Sequence, residues 1–332
     1  MSRARDFADL AGSADAGGLT GRNLVINGDF QIWQRGTSQT TVGYGSADRW
    51  RLNVSGATLT GSQGTFTDGQ TAVPGNPRFY LALDVTTGND NAGWFHRLEG
   101  THEFANDVYT LSFWAKSDTP RAMTVGSNSH DLSADVFQDN TVSPTTFTPT
   151  SSWQKFTFKV THSSMNTLGS FASGDYTAFF ITQGSDTSTA AWKLDLALVQ
   201  FEKGEVATPF EHRSYADELQ RCRRYLYRIE TDTANGAFVN LNGWDTNNTY
   251  GSLRFPVEMR AAPSFSYGAA LSDFLILSAG ANYTPTTIQS NGNNKHGIEL
   301  NMVSTSNITA GRSYWARMSD TTNGFIQFDA EL

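Results

Sequence analysis

Tyr109-Thr110-Leu111-Ser112-Phe113-Trp114-Ala115-Lys116, with its companion Trp153-Gln154-Lys155-Phe156-Thr157-Phe158-Lys159-Val160, decides the fold class. Apolar and polar residues alternate, the period of a strand with one face buried and the other in water. The same signal, bounded by Gly, Asn, Asp and Ser turns, recurs on either side at Arg49 to Leu52, Phe79 to Val85, Trp94 to Leu98, Arg121 to Val125, Tyr176 to Thr182 and Ala191 to Phe201. Upstream, Asn23-Leu24-Val25-Ile26-Asn27-Gly28-Asp29-Phe30-Gln31-Ile32-Trp33 reads as a strand with a tight bend at Asn-Gly. Together these segments predict a two-sheet jelly-roll β-sandwich over residues 23–213.

Beyond it the period changes. Tyr215, Leu219, Cys222, Leu226 and Ile229 recur at three- and four-residue intervals behind Ser214, a good N-cap, with Asp217 and Glu218 in the first turn and arginines later. This predicts a single linking helix over 214–230. Strand signals then return at Gly236 to Leu241, Tyr250 to Pro256, Phe265 to Tyr267, Phe274 to Leu277, Gly297 to Met302 and Gly324 to Phe328, predicting a smaller C-terminal β-sandwich-like tip domain over 231–332. Residues 1–22 pair Phe7 and Leu10, at helical spacing, with the Gly/Ala/Ser run Ala11 to Gly21; they read as an attachment or assembly segment. The chain is thus expected to be all-β with one helix, and no repeat of 20–50 residues runs along it.

Composition agrees with that class. Of 332 residues, 17% are charged and 30 are glycine, which suits turn-rich sheets rather than long helices. A formal charge of −8 argues against a nucleic-acid partner, since phosphate binding needs clustered Lys and Arg. Cys222 is the one cysteine, so an intrachain disulfide is excluded and the cores must hold by packing. No apolar run reaches the roughly 20 residues of a membrane span, and the first residues lack a signal-peptide core; synthesis in the cytoplasm and no membrane insertion are the expectations.

Two longer stretches carry a resemblance. Asn23 to Thr37, followed by Ser46-Ala47-Asp48-Arg49-Trp50, resembles the opening of the carbohydrate-binding-module-like jelly roll of phage tail fibres and related virion appendages. Gly204 to Tyr225, with Phe210-Glu211-His212-Arg213-Ser214-Tyr215 at its centre, then Phe255 to Pro263 and the ending Asp329-Ala330-Glu331-Leu332, is similar to the closing half of the same proteins. The resemblance implies a virion component at the tail or capsid periphery. It would be a homotrimer, joined to other virion proteins through the N-terminal segment and presenting sugar-binding surfaces to a host-cell glycan. It also implies a structural Ca2+ held by the first and last strands of the jelly roll, with Asn27, Asp29 and Asp195 at the corresponding positions and Gln31 where such modules often carry a Glu.

A catalytic set is not evident. His96, His102, His130, His162, His212 and His296 are scattered without metal or triad spacing, and no phosphate-cradling glycine loop is present, so a non-enzymatic role is expected. Sugars dock their C–H faces on exposed aromatics while amides and charges read the hydroxyls. Most of the tryptophans fall in or beside strands and belong to the core. Trp244 instead sits in the polar stretch Asn240 to Tyr250, and with Asp245, Asn247 and Asn248 it forms a candidate glycan contact; Lys295 and His296, in the second polar tip Asn291 to His296, complete the set. Adhesion is the reading these features favour. A purely structural head-decoration or tail component, and a glycan hydrolase needing two carboxylates across a cleft, are the alternatives.

Overall fold

The computed structural model describes residues 21–87, 90–164, 172, 174–183, 190–268, 270–278, 280–305, 307–319 and 324–332. The attachment segment expected at 1–22 lies outside them except for Gly21 and Arg22. The chain divides into two compact units, Met1–Glu218 with Leu332, and Leu219–Glu331. Among the described residues no helix is long and apolar enough to cross a membrane.

The first unit contains β1 (Ser38–Gln39), β2 (Trp50–Ser55), β3 (Thr58–Thr65), β4 (Phe79–Thr87), β5 (Asp90–Glu99), β6 (Val108–Lys116) and β7 (Met123–Asp131). It continues through β8 (Val136–Asp139), β9 (Thr141–Ser143), β10 (Thr146–Phe147), β11 (Gln154–Thr161), β12 (Tyr176–Thr182) and β13 (Trp192–Lys203). A seven-stranded sheet has the order β1-β3-β4-β13-β6-β11-β9, and a second runs β10-β7-β12-β5-β2 with β8 on β7. The alternation read from Tyr109 to Lys116 explains the layering: Leu111 and Phe113 of β6, Phe158 and Val160 of β11, and Leu194 and Leu196 of β13 enter the same core as Trp50, Leu52, Trp94, Val125, Phe179 and Ile181 of the other sheet. Each large apolar side chain buried in this way contributes about 1.5–3 kcal/mol.

Asn23 to Trp33 is not a strand, contrary to the sequence reading. Asn27 (φ 61°) and Phe30 (φ 58°) take left-handed conformations that a ladder does not admit. The carboxamide of Asn23 replaces ladder partners by accepting from Val25 N at 3.0 Å and Phe201 N at 3.1 Å. Gly28 passes so close to β13 that a Cβ there would collide with the Val199 carbonyl, while the Val199 amide donates to Gly28 O at 2.8 Å.

This irregular segment is pinned to the end of the unit by a buried acid–base cluster. Glu211 accepts from the Gly21 and Asn23 amides at 2.5 and 2.7 Å, and Glu218 accepts from the Asn27 amide. Between them lies Arg213, which donates to Val25 O at 2.9 Å and to Asn23 O, and sits 3.3 Å from Glu218 and 3.8 Å from Glu211. Burial pushes the Glu218 carboxyl up, opposed by the Asn27 amide and Arg213. The three side chains are 4–10% exposed, so they are held by one another and not by water.

The boundary between the units falls within α1 (Tyr215–Arg223), which Ser214 caps by accepting from Asp217 N at 3.2 Å. The helix ends at Arg223 and does not reach Ile229 as its periodicity predicts. Tyr225 N closes onto Cys222 O at 2.9 Å, and Leu226–Ile229 becomes β14, paired with Asp329 to Ile326. Leu226 and Ile229 therefore serve a ladder instead of extending the helical stripe of Leu219 and Cys222.

The second unit continues with β15 (Gly236–Gly243), β16 (Asn248–Arg254), β17 (Ser264–Tyr267), β18 (Phe274–Ser278), β19 (Ala281–Tyr283), β20 (Thr287–Asn294), β21 (Gly297–Val303), β22 (Ser313–Met318) and β23 (Ile326–Asp329). A small sheet β14-β23-β17 accompanies a seven-stranded sheet β19-β18-β22-β15-β16-β21-β20. Ile326 and Phe328 of the small sheet share a core with Leu241, Leu300, Met302, Tyr314, Ala316 and Met318 of the large one, which makes this unit a sandwich as well.

Two expectations follow from the first unit. Arg213→Met leaves Glu211 and Glu218 without their cation and should cost about 3–5 kcal/mol in urea unfolding; a loss below about 1 kcal/mol, the worth of a surface pair, would refute the role assigned to the cluster. Burial lowers His162 from 6.5 to about 4 and His96 well below 6.5. The unfolded chain takes up these protons first, so stability should be full above about pH 6.5 and fall as pH drops toward about 4. Melting temperatures across that window should decline less in His162→Phe, which keeps the ring contacts with Phe104 and Tyr109, than in the parent.

Candidate functional site

Because Val125, Phe179, Ile181, Trp94 and Trp50 point into the core, their neighbours in sequence point out of the six-stranded sheet. The outward set is Gly126, Asn128 and His130 of β7, Tyr176, Ala178 and Phe180 of β12, Gly93, Phe95 and Arg97 of β5, and Arg51 and Asn53 of β2. Register aligns Tyr176 with His130, Ala178 with Asn128 and Arg97, and Phe180 with Gly126 and Phe95. Arg51 lies opposite Phe95.

Small residues make the floor and rings make the walls. Phe95 and Phe180 stack at 5.0 Å and 24°, and Phe180 lies over Gly126, where a Cβ would meet its ring. Next to Ala178, the Arg97 guanidinium sits 4.2 Å above the Tyr176 ring. At the outer margin Phe137 of β8, 55% exposed, stacks on His130 at 3.8 Å and 9°. Around the buried Tyr176, Ala178 and His130 this leaves a shallow trough rimmed by Phe95–Phe180 and Phe137, with arginines at one side.

Burial lowers the Arg51 pKa, and the like charge of Arg97 pushes it the same way. Arg51 Nη1 donates to Asn53 Oδ1 at 3.4 Å. Arg97 Nη1 and the Tyr44 hydroxyl donate to Leu332 O at 2.5 and 3.1 Å, while Arg97 Nε is buried without a hydrogen-bond partner among the described residues. Glu99 stands at the edge of the same face. Two guanidiniums held close on an aromatic surface can donate to an anionic group lying between them, while the rings receive apolar faces.

The outer face of the seven-stranded sheet carries rings too, but they pack on one another. Phe66, Tyr80 and Trp153 meet at 5.0–5.5 Å, and Lys116 lies over both Tyr80 and Trp153. This is a small closed cluster around Val73, Ala197 and Leu198 rather than an open platform.

The residues assigned to calcium are not brought together. Asn27 spends both ends of its carboxamide on backbone, donating to Ile32 O and Asp48 O at 2.8 and 3.0 Å and accepting from Ile32 N at 2.9 Å. Asp29 accepts from the Gln31 carboxamide. Asp195 pairs with Lys116 at 3.2 Å on the outer face of the seven-stranded sheet. Gly28 meets β13 at Val199, four residues from Asp195 and roughly 13 Å away at the rise of a strand. Among the described residues no group of three or more His, Cys, Asp or Glu is placed to hold a metal ion. His96, stacked on Phe179 at 5.6 Å, is a core residue.

The glycan set assigned from sequence divides in two. Trp244 is 73% exposed, in the turn joining β15 to β16, and its ring meets Tyr250 at 6.1 Å and 85°. Asp245 accepts from the Asn247 and Asn248 amides at 2.7 Å each, and from the Asn248 side chain, so it closes the turn. Lys295 and His296 form the β20–β21 turn beside Arg254, whereas Asn248 pairs with Val303 at the other end of the same ladder. Six residues of strand, roughly 20 Å, separate the two tips. The trough residues Phe95, Arg97, Tyr176 and Phe180 were not singled out from sequence, although each lies in a strand that alternation identified.

No protein-family model matches the sequence, nor does any curated protein. Among solved structures the chain is similar to a CBM4 module, at 19% identity over 54% of this chain and 100% of that one with a TM-score of 0.36. It is also similar to the CBM22-1 xylan-binding domain from Paenibacillus barcinonensis Xyn10C, at 14% identity over 51% and 94% of the chains and a TM-score of 0.32. The enzymatically active domain of tailspike protein 4 from bacteriophage CBA120 matches at 12% identity over 55% of this chain and 21% of that one, with a TM-score of 0.36.

The Lys116–Asp195 pairing predicts that Asp195→Asn shifts the melting temperature equally in calcium and in EDTA. A shift confined to calcium would restore Asp195 as a ligand.

Proposed function

We propose that this protein is an adhesive subunit of a phage fibre or virion appendage whose first unit binds an acidic cell-surface glycan across the six-stranded sheet. The observation that supports the glycan is the trough itself. The stacked rings of Phe95 and Phe180 stand beside Arg51 and Arg97, and the like charges of the two guanidiniums favour an anion beside them. A carboxylate- or sulfate-bearing sugar presents both surfaces that such a site needs.

The appendage part of the reading rests on the sequence resemblance of Asn23 to Thr37 and Gly204 to Tyr225. In it the segment 1–22 attaches the subunit to other virion proteins, and a homotrimer multiplies weak contacts into useful avidity. The site binds without turning its ligand over; adhesion, not hydrolysis, is the role.

A glycan array and whole-cell binding assay on the purified chain, with its oligomeric mass measured on the same sample, tests this. Acidic glycans should be retained, less so as salt screens the arginines. Arg97→Ala should weaken them about tenfold or more, the worth of a charge-assisted hydrogen bond, and Phe137→Ala by less. A well-folded oligomer that holds neither glycans nor cells would transfer the protein to the purely structural reading.

A further inference from the structure

The second unit presents an open sheet face of different chemistry. In β22 Tyr314, Ala316 and Met318 enter the core, so Trp315 and Arg317 point outward, and Trp315 is 48% exposed. Leu300 and Met302 of β21 likewise enter the core and leave Asn301 on the outer side. Register sets Trp315 level with Asn240 and Leu277, and Tyr250 level with Asn242 and Asn301; Asn301 is in turn level with Gln289. Across the middle of this face run amides and rings: Trp315, Asn240, Asn242, Tyr250, Asn301 and Gln289.

Two features mark it as a site. A hollow of about 330 Å³ opens beside Trp315, bounded by Leu277, Ser278, Gly280, Ser313 and Tyr314. Asn301 is 1% exposed and donates through Nδ2 to Asn248 Oδ1 at 3.3 Å, yet its Oδ1 has no hydrogen-bond partner among the described residues. A buried acceptor without a donor costs free energy that an incoming hydroxyl recovers. Trp315 and Tyr250 stand two strands apart and one outward position out of step, roughly 12 Å between their Cα atoms. A short oligosaccharide spans that separation, and Trp244, against Tyr250, extends the platform at its end.

From this we infer that the outer face of the seven-stranded sheet in the second unit is a separate binding site for an uncharged oligosaccharide. Its ring faces stack on Trp315 and Tyr250, and its hydroxyls are read by Asn242, Asn301 and Gln289. The occupant is neutral because the polar groups along the central row are the amides and the Tyr250 hydroxyl, with Arg317 engaged over the Trp315 ring at 5.4 Å and Glu299 displaced toward the β20–β21 turn. This assignment does not depend on the arginine-bearing trough of the first unit.

Titration calorimetry on the full chain with maltohexaose, cellohexaose, mannohexaose and, as the acidic probe, hexagalacturonate separates the two sites. At least one neutral hexasaccharide should bind. Trp315→Ala should weaken it about tenfold, the worth of the ring area a sugar covers, while Trp315→Tyr keeps most of the affinity. Arg97→Ala should leave neutral binding unchanged. The inference falls if no neutral hexasaccharide binds the folded protein, or if Trp315→Ala binds it as well as the parent. It falls also if Trp315→Ala lowers the oligomeric mass, since the face would then be an interface between copies. Acidic binding that ignores Arg97→Ala would overturn the first-unit site and leave this one standing.

Discussion

The Arg213 cluster is the constraint on which the first unit depends. A sandwich edge whose chain begins in left-handed turns at Asn27 and Phe30 has no ladder to hold it, and Glu211, Arg213 and Glu218 supply the missing backbone partners. Buried ion pairs are a weak source of net stability, because desolvation consumes most of the attraction. Their value here is positional: two carboxylates accept from the amides of Gly21, Asn23 and Asn27, and one guanidinium covers the carbonyls between. The stretch Phe210 to Tyr215, which carried the strongest resemblance in the sequence, is therefore the stretch that closes the fold.

Alternation made most of the sheet legible. Trp153 to Val160 alternates toward its end in burial as in sequence, whereas Tyr109 to Lys116 and Tyr176 to Thr182 are strands covered on both faces along most of their length. The failures have physical causes. Asn23 to Trp33 is apolar enough for a strand, but its asparagines bond to the backbone themselves and release it from a ladder. The helix periodicity continued through Leu226 and Ile229, yet those residues satisfy a strand equally well, and pairing with Ile326 to Asp329 decided between them. Ser313 to Met318 alternates as cleanly and places Trp315 on the outer face.

Sites were less legible than strands because chemistry depends on which strands become neighbours. Arg51 and Arg97 are far apart in sequence and meet only because β2 and β5 are paired. A motif places Asn27 and Asp195 by order in the chain, whereas the strand carrying Asp195 runs past its partner loop four residues away. The two open faces are nevertheless built alike, with small or amide residues between rings, and differ mainly in charge.

The cluster around Arg213 also joins the first described residues of the unit to Glu218, where its continuous run ends. Gly21 and Glu218 lie within the same knot of hydrogen bonds, so the chain enters and leaves the sandwich at one corner. A pull applied between the two flanks would load that knot before it reached the ladders. The sandwich would then hang to one side of the line of force, and the mechanical strength of the subunit would be set by an ion-pair clasp rather than by its sheets.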